Sequence, residues 1–375
     1  MTPIAKTSVY LDRIARARKR MSETGVDVLL LSVGSDLPYL AGYEAMPLER
    51  LTMLVVPRTD DATLVIPRLE APRVVEQPGV FTLRPWDETE DPVALVAGLI
   101  SQPSRVAVGE TMWARFLVDL LRHWPSTGSG GTHYVRSSEV MSALRMCKDP
   151  AEVASLQAAG AAVDRVAAQL QAGEIPLGGR TEAEVSADIS SRLLAEGHEA
   201  VNFAIVAAGE NAASPHHHAG GRVIADGDIV LCDFGGTMAG YCSDITRCVH
   251  LGRPPSEVSE AYAVLQAAHA AGVAAGVVGA QCQDVDRAAR QVIADAGYGR
   301  YFIHRTGHGI GMEAHEDPYM VEGNSLPIAA GHTFSVEPGI YLPGDWGMRL
   351  EDIVVATAAG PSSMNHADRA LVVLG

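Results

Sequence analysis

Two stretches decide the fold: Gly227-Asp-Ile-Val-Leu-Cys-Asp233 and Gly331-His-Thr-Phe-Ser-Val-Glu337. Each puts a carboxylate six residues after a glycine, at the end of an apolar strand, and each precedes a second strand with its own acid, Asp244 and Glu351. The surroundings recur too. Asp149 is an N-cap with Pro150 at the first helical position and Glu152 three residues after the cap, opening a helix to about 171. Thr181-Glu182-Ala183-Glu184 is a capping box for a second helix, which stops near Gly197. Strands read at 201–207, 229–234 and 241–251. Helices then return at about 257–273 and 284–296, with strands around 333–337 and 348–355. Helix, helix, hairpin occurs twice, which implies a weak internal duplication with two α/β halves facing across one cleft.

Ahead of this region, short β-type runs at 26–31, 51–56, 62–66 and 106–108 alternate with helical stretches at 91–99 and 112–121, the pattern of a small α/β domain. Arg58-Thr59-Asp60-Asp61 reads as a hairpin turn, so its sheet is expected to be mixed. The loop at 125–131 and the break at Lys148-Asp149-Pro150 put the domains at 1–147 and 148–375.

The whole chain has 375 residues, 29 Lys and Arg against 45 Asp and Glu, a net charge of −16 and 47% apolar residues. This suffices for two buried cores and disfavours a disordered or membrane protein. Strong acidity argues against nucleic-acid binding, which needs a basic face for phosphates. The five cysteines (Cys147, Cys232, Cys242, Cys248, Cys282) are scattered and form no C-x-x-C pair, so neither a disulfide framework nor a thiolate metal site is indicated. No signal-peptide block follows the basic stretch with Arg13, Arg16, Arg18, Lys19 and Arg20, and the expected location is the cytoplasm.

With a turn centred on Met238-Ala239, Asp233 falls opposite Asp244 and both side chains share a face. Glu337 and Glu351 stand in the same relation about the turns at Pro338-Gly339 and Pro343-Gly344. Like charges opposite one another destabilise a sheet, so a cation is expected among them. Between the acid pairs lies His304-Arg-Thr-Gly-His308-Gly-Ile-Gly311, whose three glycines within five residues exclude a helix and let backbone approach closely. One imidazole with four carboxylates suits hard or borderline ions such as Mn²⁺ or Co²⁺. Four carboxylates carry about −4, which balances two divalent ions, and such a pair favours hydrolysis. His216, His217 and His218 form a cluster in which the residues themselves leave the choice open.

These residues resemble the metallopeptidases of the pita-bread fold, in particular the proline-specific branch of prolidase and aminopeptidase P. The stretches that carry the resemblance are Pro215-His216, Val230-Leu-Cys-Asp233-Phe-Gly-Gly, Gly240-Tyr-Cys-Ser-Asp244-Ile-Thr-Arg247, Thr306-Gly-His308-Gly-Ile-Gly, His315-Glu316, Val336-Glu337-Pro-Gly and Met348-Arg349-Leu-Glu351-Asp352. The first domain, with Ser35-Asp-Leu-Pro-Tyr39-Leu-Ala-Gly42, looks like a creatinase-type N-terminal domain. The implied fold is therefore an α/β creatinase-like N-terminal domain followed by an α+β pita-bread catalytic domain. By the same resemblance Asp233, Asp244, His308, Glu337 and Glu351 bind two divalent metals, Mn²⁺ first and Co²⁺ or Zn²⁺ as alternatives. Asp244 and Glu351 bridge the ions, Glu337 is the general base for a bridging water, and His216 and His315 contact the substrate carbonyl and the tetrahedral intermediate.

The implied reaction is hydrolysis of the Xaa-Pro bond, a tertiary amide without an N–H that a metal site can attack from the carbonyl side alone. His216, His304 and His315 are candidates to line the proline pocket, and Tyr241 supports the site from its strand. Arg349 matches the proline-specific branch, with a structural ion pair as its alternative role. A dipeptidase and an aminopeptidase acting on tripeptides and longer chains both stay open; they differ in a cation for the C-terminal carboxylate, for which Arg50, Arg68 and Arg73 are candidates. The expected partners are a small peptide with proline second and a second copy of the chain, with no nucleic acid or membrane. Metal-free creatinase-like chemistry and a non-catalytic binding module are the competing readings, and both usually go with a lost ligand set.

Overall fold

Six short runs build the first sheet: Val28–Leu31 (β1), Met53–Pro57 (β2), Thr63–Pro67 (β3), Thr82–Trp86 (β4), Arg105–Val108 (β5) and His133–Arg136 (β6), in the order β4-β3-β2-β1-β5-β6. The computed structural model describes residues 3–128 and 130–375, and the chain divides between Arg145 and Met146 into two compact units. In the first unit β2 and β3 pair antiparallel, Met53 with Val65 and Val55 with Thr63, as the turn at 58–61 predicts. The β1–β5 and β3–β4 pairs are parallel, so the sheet is mixed. Its core joins Val28, Leu30, Val55 and Val65 to Val96 of Pro92–Leu99 (a helix) and Phe116 of Ala114–His123 (another). A first helix, Pro3–Thr24, was not apparent behind its arginines, although Ile14, Ala17 and Met21 recur at helical spacing and are buried.

The second unit shows the duplication element by element. Its first half runs through helices Pro150–Gln171 and Glu182–Ala195 to strands Ala200–Ala208 (β7), Ile229–Met238 (β8), Tyr241–Cys242 (β9) and Ile245–Leu251 (β10). Its second half runs through helices Ser256–Ala275 and Cys282–Asp295 to strands Gly307–Gly309 (β11), Glu316–Met320 (β12), Thr333–Val336 (β13), Gly339–Leu342 (β14), Trp346–Arg349 (β15), Asp352–Thr357 (β16) and Gly360–Ser363 (β17), and Val372–Leu374 (β18) closes the chain. The expected caps form: Asp149 and Thr181 each complete a capping box, and Gln281 completes a third with Asp284 at the place equivalent to Thr181. Thr181 bridges to Val223 and Gln281 to Pro327, so the halves match even in their isolated contacts. The sheets are β18-β10-β8-β7, with β9 on β8, and β12-β11-β13-β16-β17. Among the described residues no helix is long and apolar enough to cross a membrane.

One register differs from expectation. The β8–β9 turn is the two-residue loop Ala239-Gly240, both at positive φ (50° and 80°), and not Met238-Ala239. Asp233 therefore pairs with Thr246, not Asp244. The slip is of two residues, an even number, so both acids still face the same side. In the second half the pairs Val336 with Asp352 and Gly339 with Arg349 bracket the acids and set Glu337 opposite Glu351.

His332 gives this unit an acid-sensitive point. It is buried, its Nδ1 accepts from the Ala329 N–H at 3.3 Å, and burial followed by the Lys148 charge lowers its pKa to about 4. The unfolded chain binds this proton near pH 6.5 and the folded chain does not, so stability present above pH 6.5 is lost as pH falls toward 4. Between pH 7 and 5 the loss is on the order of 2 kcal/mol for this one group. Urea unfolding at both pH values should show that difference shrinking in His332→Gln; an equal difference in the variant would assign it elsewhere.

Candidate active site

β11 can hold its histidine between two strands only because its other residues have no side chains. A Cβ at Gly307 would run into the Ser335 carbonyl, and one at Gly309 into the Asp317 carbonyl. Both neighbours thus close on the backbone of β11, and the His308 N–H donates to Ser335 Oγ at 3.0 Å. His308 Nδ1 donates to the Gly309 carbonyl at 3.0 Å, which turns Nε2 toward the acids. Glu337 Oε1 lies 3.2 Å from that Nε2 and Asp244 Oδ2 lies 3.9 Å from it.

All five residues of the expected ligand set, Asp233, Asp244, His308, Glu337 and Glu351, line one cavity of about 1150 Å³. Donor atoms of Asp244, His308 and Glu351 lie within 4.8 Å of one another. Asp233 is held from the side: Arg349 Nη2 donates to its Oδ2 at 2.5 Å. Glu351 Oε2 accepts from Thr246 Oγ1 at 2.7 Å, and behind it the fully buried Arg247 donates to the Glu351 carbonyl at 2.7 Å and pairs with Asp352.

The remaining oxygens test whether a cation belongs here. Asp233 Oδ1, Asp244 Oδ1 and Glu351 Oε1 are buried and, among the described residues, have no hydrogen-bond donor. Burial first, and the neighbouring carboxylates second, push Asp244 and Glu351 well above the usual carboxylate range. Glu337 goes the other way, to about 2: burial opposes its charge, but the hydrogen bond and charge of His308 outweigh it. Oxygen atoms stripped of water and left without donors are costly unless a cation takes them, and an oxygen-rich set with one imidazole fits divalent ions.

The other expected residues separate into two groups. His216, His304, His315 and Arg349 line the cavity. The His315 ring lies 3.8 Å from that of His308, and burial followed by the His308 charge lowers its pKa to about 4, so it is neutral at pH 7. His304 donates from Nδ1 to the Arg305 carbonyl at 2.7 Å, and its Nε2 accepts from Tyr341 Oη at 2.9 Å, since that oxygen itself accepts from Arg349 Nη1 at 2.8 Å. Both ring nitrogens are committed, so His304 offers the cavity its carbon edge. Arg349 has the ion-pair role. Tyr241 is the correction: its hydroxyl donates to Glu152 Oε1 at 2.9 Å and its ring packs with Leu156, Ile310 and Ile353, away from the cavity.

Tyr341 and Glu182 were missed. Tyr341 lies in an apolar hairpin with no signal but its hydroxyl. Glu182 sits inside the capping box that drew attention to Glu184, yet it is the fully buried member. It accepts from Ala208 N, Asn211 Nδ2 and His217 Nε2 at 2.9, 3.0 and 2.8 Å, and from Gly220 N at 3.3 Å. The segment carrying His216 is therefore pinned to this one carboxylate.

A cavity with three buried carboxylates, a partly exposed fourth and one histidine as its donor set, built by two facing repeats, defines a metal-dependent hydrolase. Residues 154–358 match the metallopeptidase family M24 and residues 13–147 the creatinase/prolidase N-terminal domain. The chain belongs to metallopeptidase family M24, with a creatinase-type N-terminal domain and a pita-bread catalytic domain. It is 41% identical to a probable dipeptidase PepE of Mycobacterium tuberculosis over 98% of this chain and 97% of that one. It is 33% identical to an Xaa-Pro dipeptidase of Lactobacillus helveticus over 94% and 96% of the two chains. The crystal structure of dipeptidase PepE from Mycobacterium ulcerans superposes with a TM-score of 0.91 at 45% identity, covering 98% of both chains.

Removing Glu182 should loosen the His216 segment without touching the acids. Glu182→Ala leaves several buried donors unmet, at a cost of about 3 kcal/mol in chemical unfolding. Peptidase turnover is expected to fall about tenfold or more while bound metal, read by elemental analysis, stays at the wild-type level. Loss of metal with turnover would instead make Glu182 part of the metal-holding scaffold.

Proposed function

We propose that the protein is an Xaa-Pro dipeptidase: it hydrolyses short peptides at a bond to proline in the second position, using two divalent ions held by Asp233, Asp244, His308, Glu337 and Glu351, with Mn²⁺ as the first choice and Co²⁺ or Zn²⁺ as alternatives. The observation that carries this reading is the set of three buried, donor-less carboxylate oxygens, of Asp233, Asp244 and Glu351, in the cavity that His308 also lines. The names of the relatives supply the substrate class. What a pair of divalent ions supplies there when bound is Lewis acidity toward the carbonyl and a water of lowered pKa.

The chain's own groups do the rest. Glu337 is kept ionised and hydrogen-bonded to Ser335 Oγ at 3.0 Å, so it can accept a proton and stay in place. His315, neutral at pH 7, offers an N–H to the carbonyl oxygen without adding a charge beside the ions, and His216 offers a second from the pinned segment. Phe203, Ile205, Ala219, Ile303 and the His304 ring edge give an apolar wall suited to the proline ring and the residue before it. No step needs a scissile N–H, as an Xaa-Pro bond requires. We assign catalysis to residues 148–375 and a dimer-forming role to residues 1–147, and place the enzyme in the cytoplasm, where cysteines outside disulfides are stable.

Asp244→Ala and Glu351→Ala should each remove metal and activity together, measured by elemental analysis and by Mn²⁺-supplemented hydrolysis. His216→Ala should lower turnover with metal still bound; unchanged turnover would refute its role. Comparing an Xaa-Pro dipeptide with an Xaa-Pro-Yaa tripeptide on one preparation should favour the dipeptide, whereas preferred tripeptide cleavage would make the enzyme an aminopeptidase P. Sedimentation should give twice the 39.6 kDa chain mass.

A further inference from the structure

The two histidines that offer N–H groups to the substrate carbonyl share a weakness. Both line the cavity, and among the described residues no group hydrogen-bonds to the ring nitrogens of His216 or His315. A ring that must meet a developing charge in one geometry then depends on the backbone that carries it. In each case the next residue along the chain reaches to a buried partner: His217 to Glu182, and Glu316 to Lys148.

The second of these anchors is an ion pair removed from water. Lys148 Nζ donates to Glu316 Oε1 at 2.6 Å, and the two side chains are 1% and 7% exposed. Space is cleared for it, since a Cβ on Gly311 would stand 2.5 Å from Glu316 Oε1 and 3.1 Å from Lys148 Cε. That accounts for the third glycine of the Gly-His-Gly-Ile-Gly run, which does not adjoin His308 in sequence. Both ends of the pair are fixed by backbone. Lys148 donates from N to the Gly331 carbonyl at 2.9 Å, beside the bridge between Cys147 and His332, and Glu316 pairs with Gly309 where β12 meets β11. The Gly311 carbonyl in turn accepts from Cys242 N at 2.7 Å, two residues before Asp244.

Stability alone does not account for such a pair. Two buried charges regain in attraction about what they lose in hydration, and an apolar pair of similar size often holds a fold at least as well. What the ion pair adds is direction, because a short charged hydrogen bond fixes the Glu316 side chain and with it the backbone next to His315. We propose that Lys148 and Glu316 are positioning residues whose buried ion pair sets the backbone from which His315 meets the substrate carbonyl; this rests on the dipeptidase reading and on the role of His315 in it.

The test is the paired replacement Lys148→Met/Glu316→Leu, which leaves neither charge unpaired, made in the wild-type and in the His315→Ala background. Melting temperature, bound ions and Mn²⁺-supplemented hydrolysis of an Xaa-Pro dipeptide are measured for each protein. The expected result is a folded enzyme with wild-type ion content, a kcat lowered about tenfold or more and a KM changed by less than about threefold. In the His315→Ala background the same replacement should lower kcat by less than about twofold, because the group it places is already gone. An unchanged kcat, an equal fall in both backgrounds, or a loss of ions overturns the proposal and leaves the peptidase reading intact. If the paired replacement does not fold, Glu316→Gln carries the same comparison. A His315→Ala enzyme as active as the wild type overturns the role of His315 and this proposal together, and a wild type that cleaves no Xaa-Pro dipeptide overturns the dipeptidase reading as well.

Discussion

Four carboxylates, three of them buried and Glu337 partly exposed, share one cavity with a single imidazole, and their mutual repulsion is the constraint on which the catalytic unit depends. In a low dielectric, like charges a few ångströms apart cannot all stay ionised without compensation. The fold provides part of it. Arg349 holds Asp233, and His308 holds Glu337. Among the described residues Asp244 and Glu351 have no comparable cation, and burial and repulsion raise their pKa well above the usual carboxylate range. The two halves can be understood as the frame for this charge. Each contributes a hairpin with two acids, and the ladders on either side keep those acids facing inward while the apolar helix faces supply the stabilisation that the charges do not.

A second consequence is that the polar atoms of the site are assigned their roles before any substrate arrives. The Gly309 carbonyl holds the Nδ1 proton of His308, the Arg305 carbonyl fixes the tautomer of His304, and Arg349 fixes the direction of the Tyr341 proton. Each donor and acceptor is set by a rigid backbone or by a buried partner, so little reorganisation is left for the reaction.

Much of this was legible in the sequence. The duplication showed because carboxylates recur at a fixed distance from a glycine, a pattern that survives divergence of everything between. The four acids showed for the same reason, whereas His216 and His315 came only with the family resemblance. The register of Asp233 was misjudged because the sequence around Met238-Ala239-Gly240 allows two turns, and only the positive φ of Ala239 selects one. Parity rescued the inference about the shared face. Tyr241 was assigned to the site because it stands beside the ligand-bearing strand, yet its alternation with Cys242 turns its hydroxyl to Glu152. Glu182 and Tyr341 carry no pattern that marks them for the site. Their importance comes from which atoms they meet across long stretches of chain, and spacing within one segment does not encode that.

The hairpin tips, Ala239-Gly240 and Pro343-Gly344-Asp345, contribute nothing to the lining of the cavity. β11 is the opposite case, a strand pressed between Ser335 on one side and Asp317 on the other, where a Cβ added at either glycine meets a carbonyl. Divergence in this protein is therefore channelled: lengthening or decorating the tips leaves the acids where they are, whereas a single methyl group on either side of His308 would displace the imidazole from all of them at once.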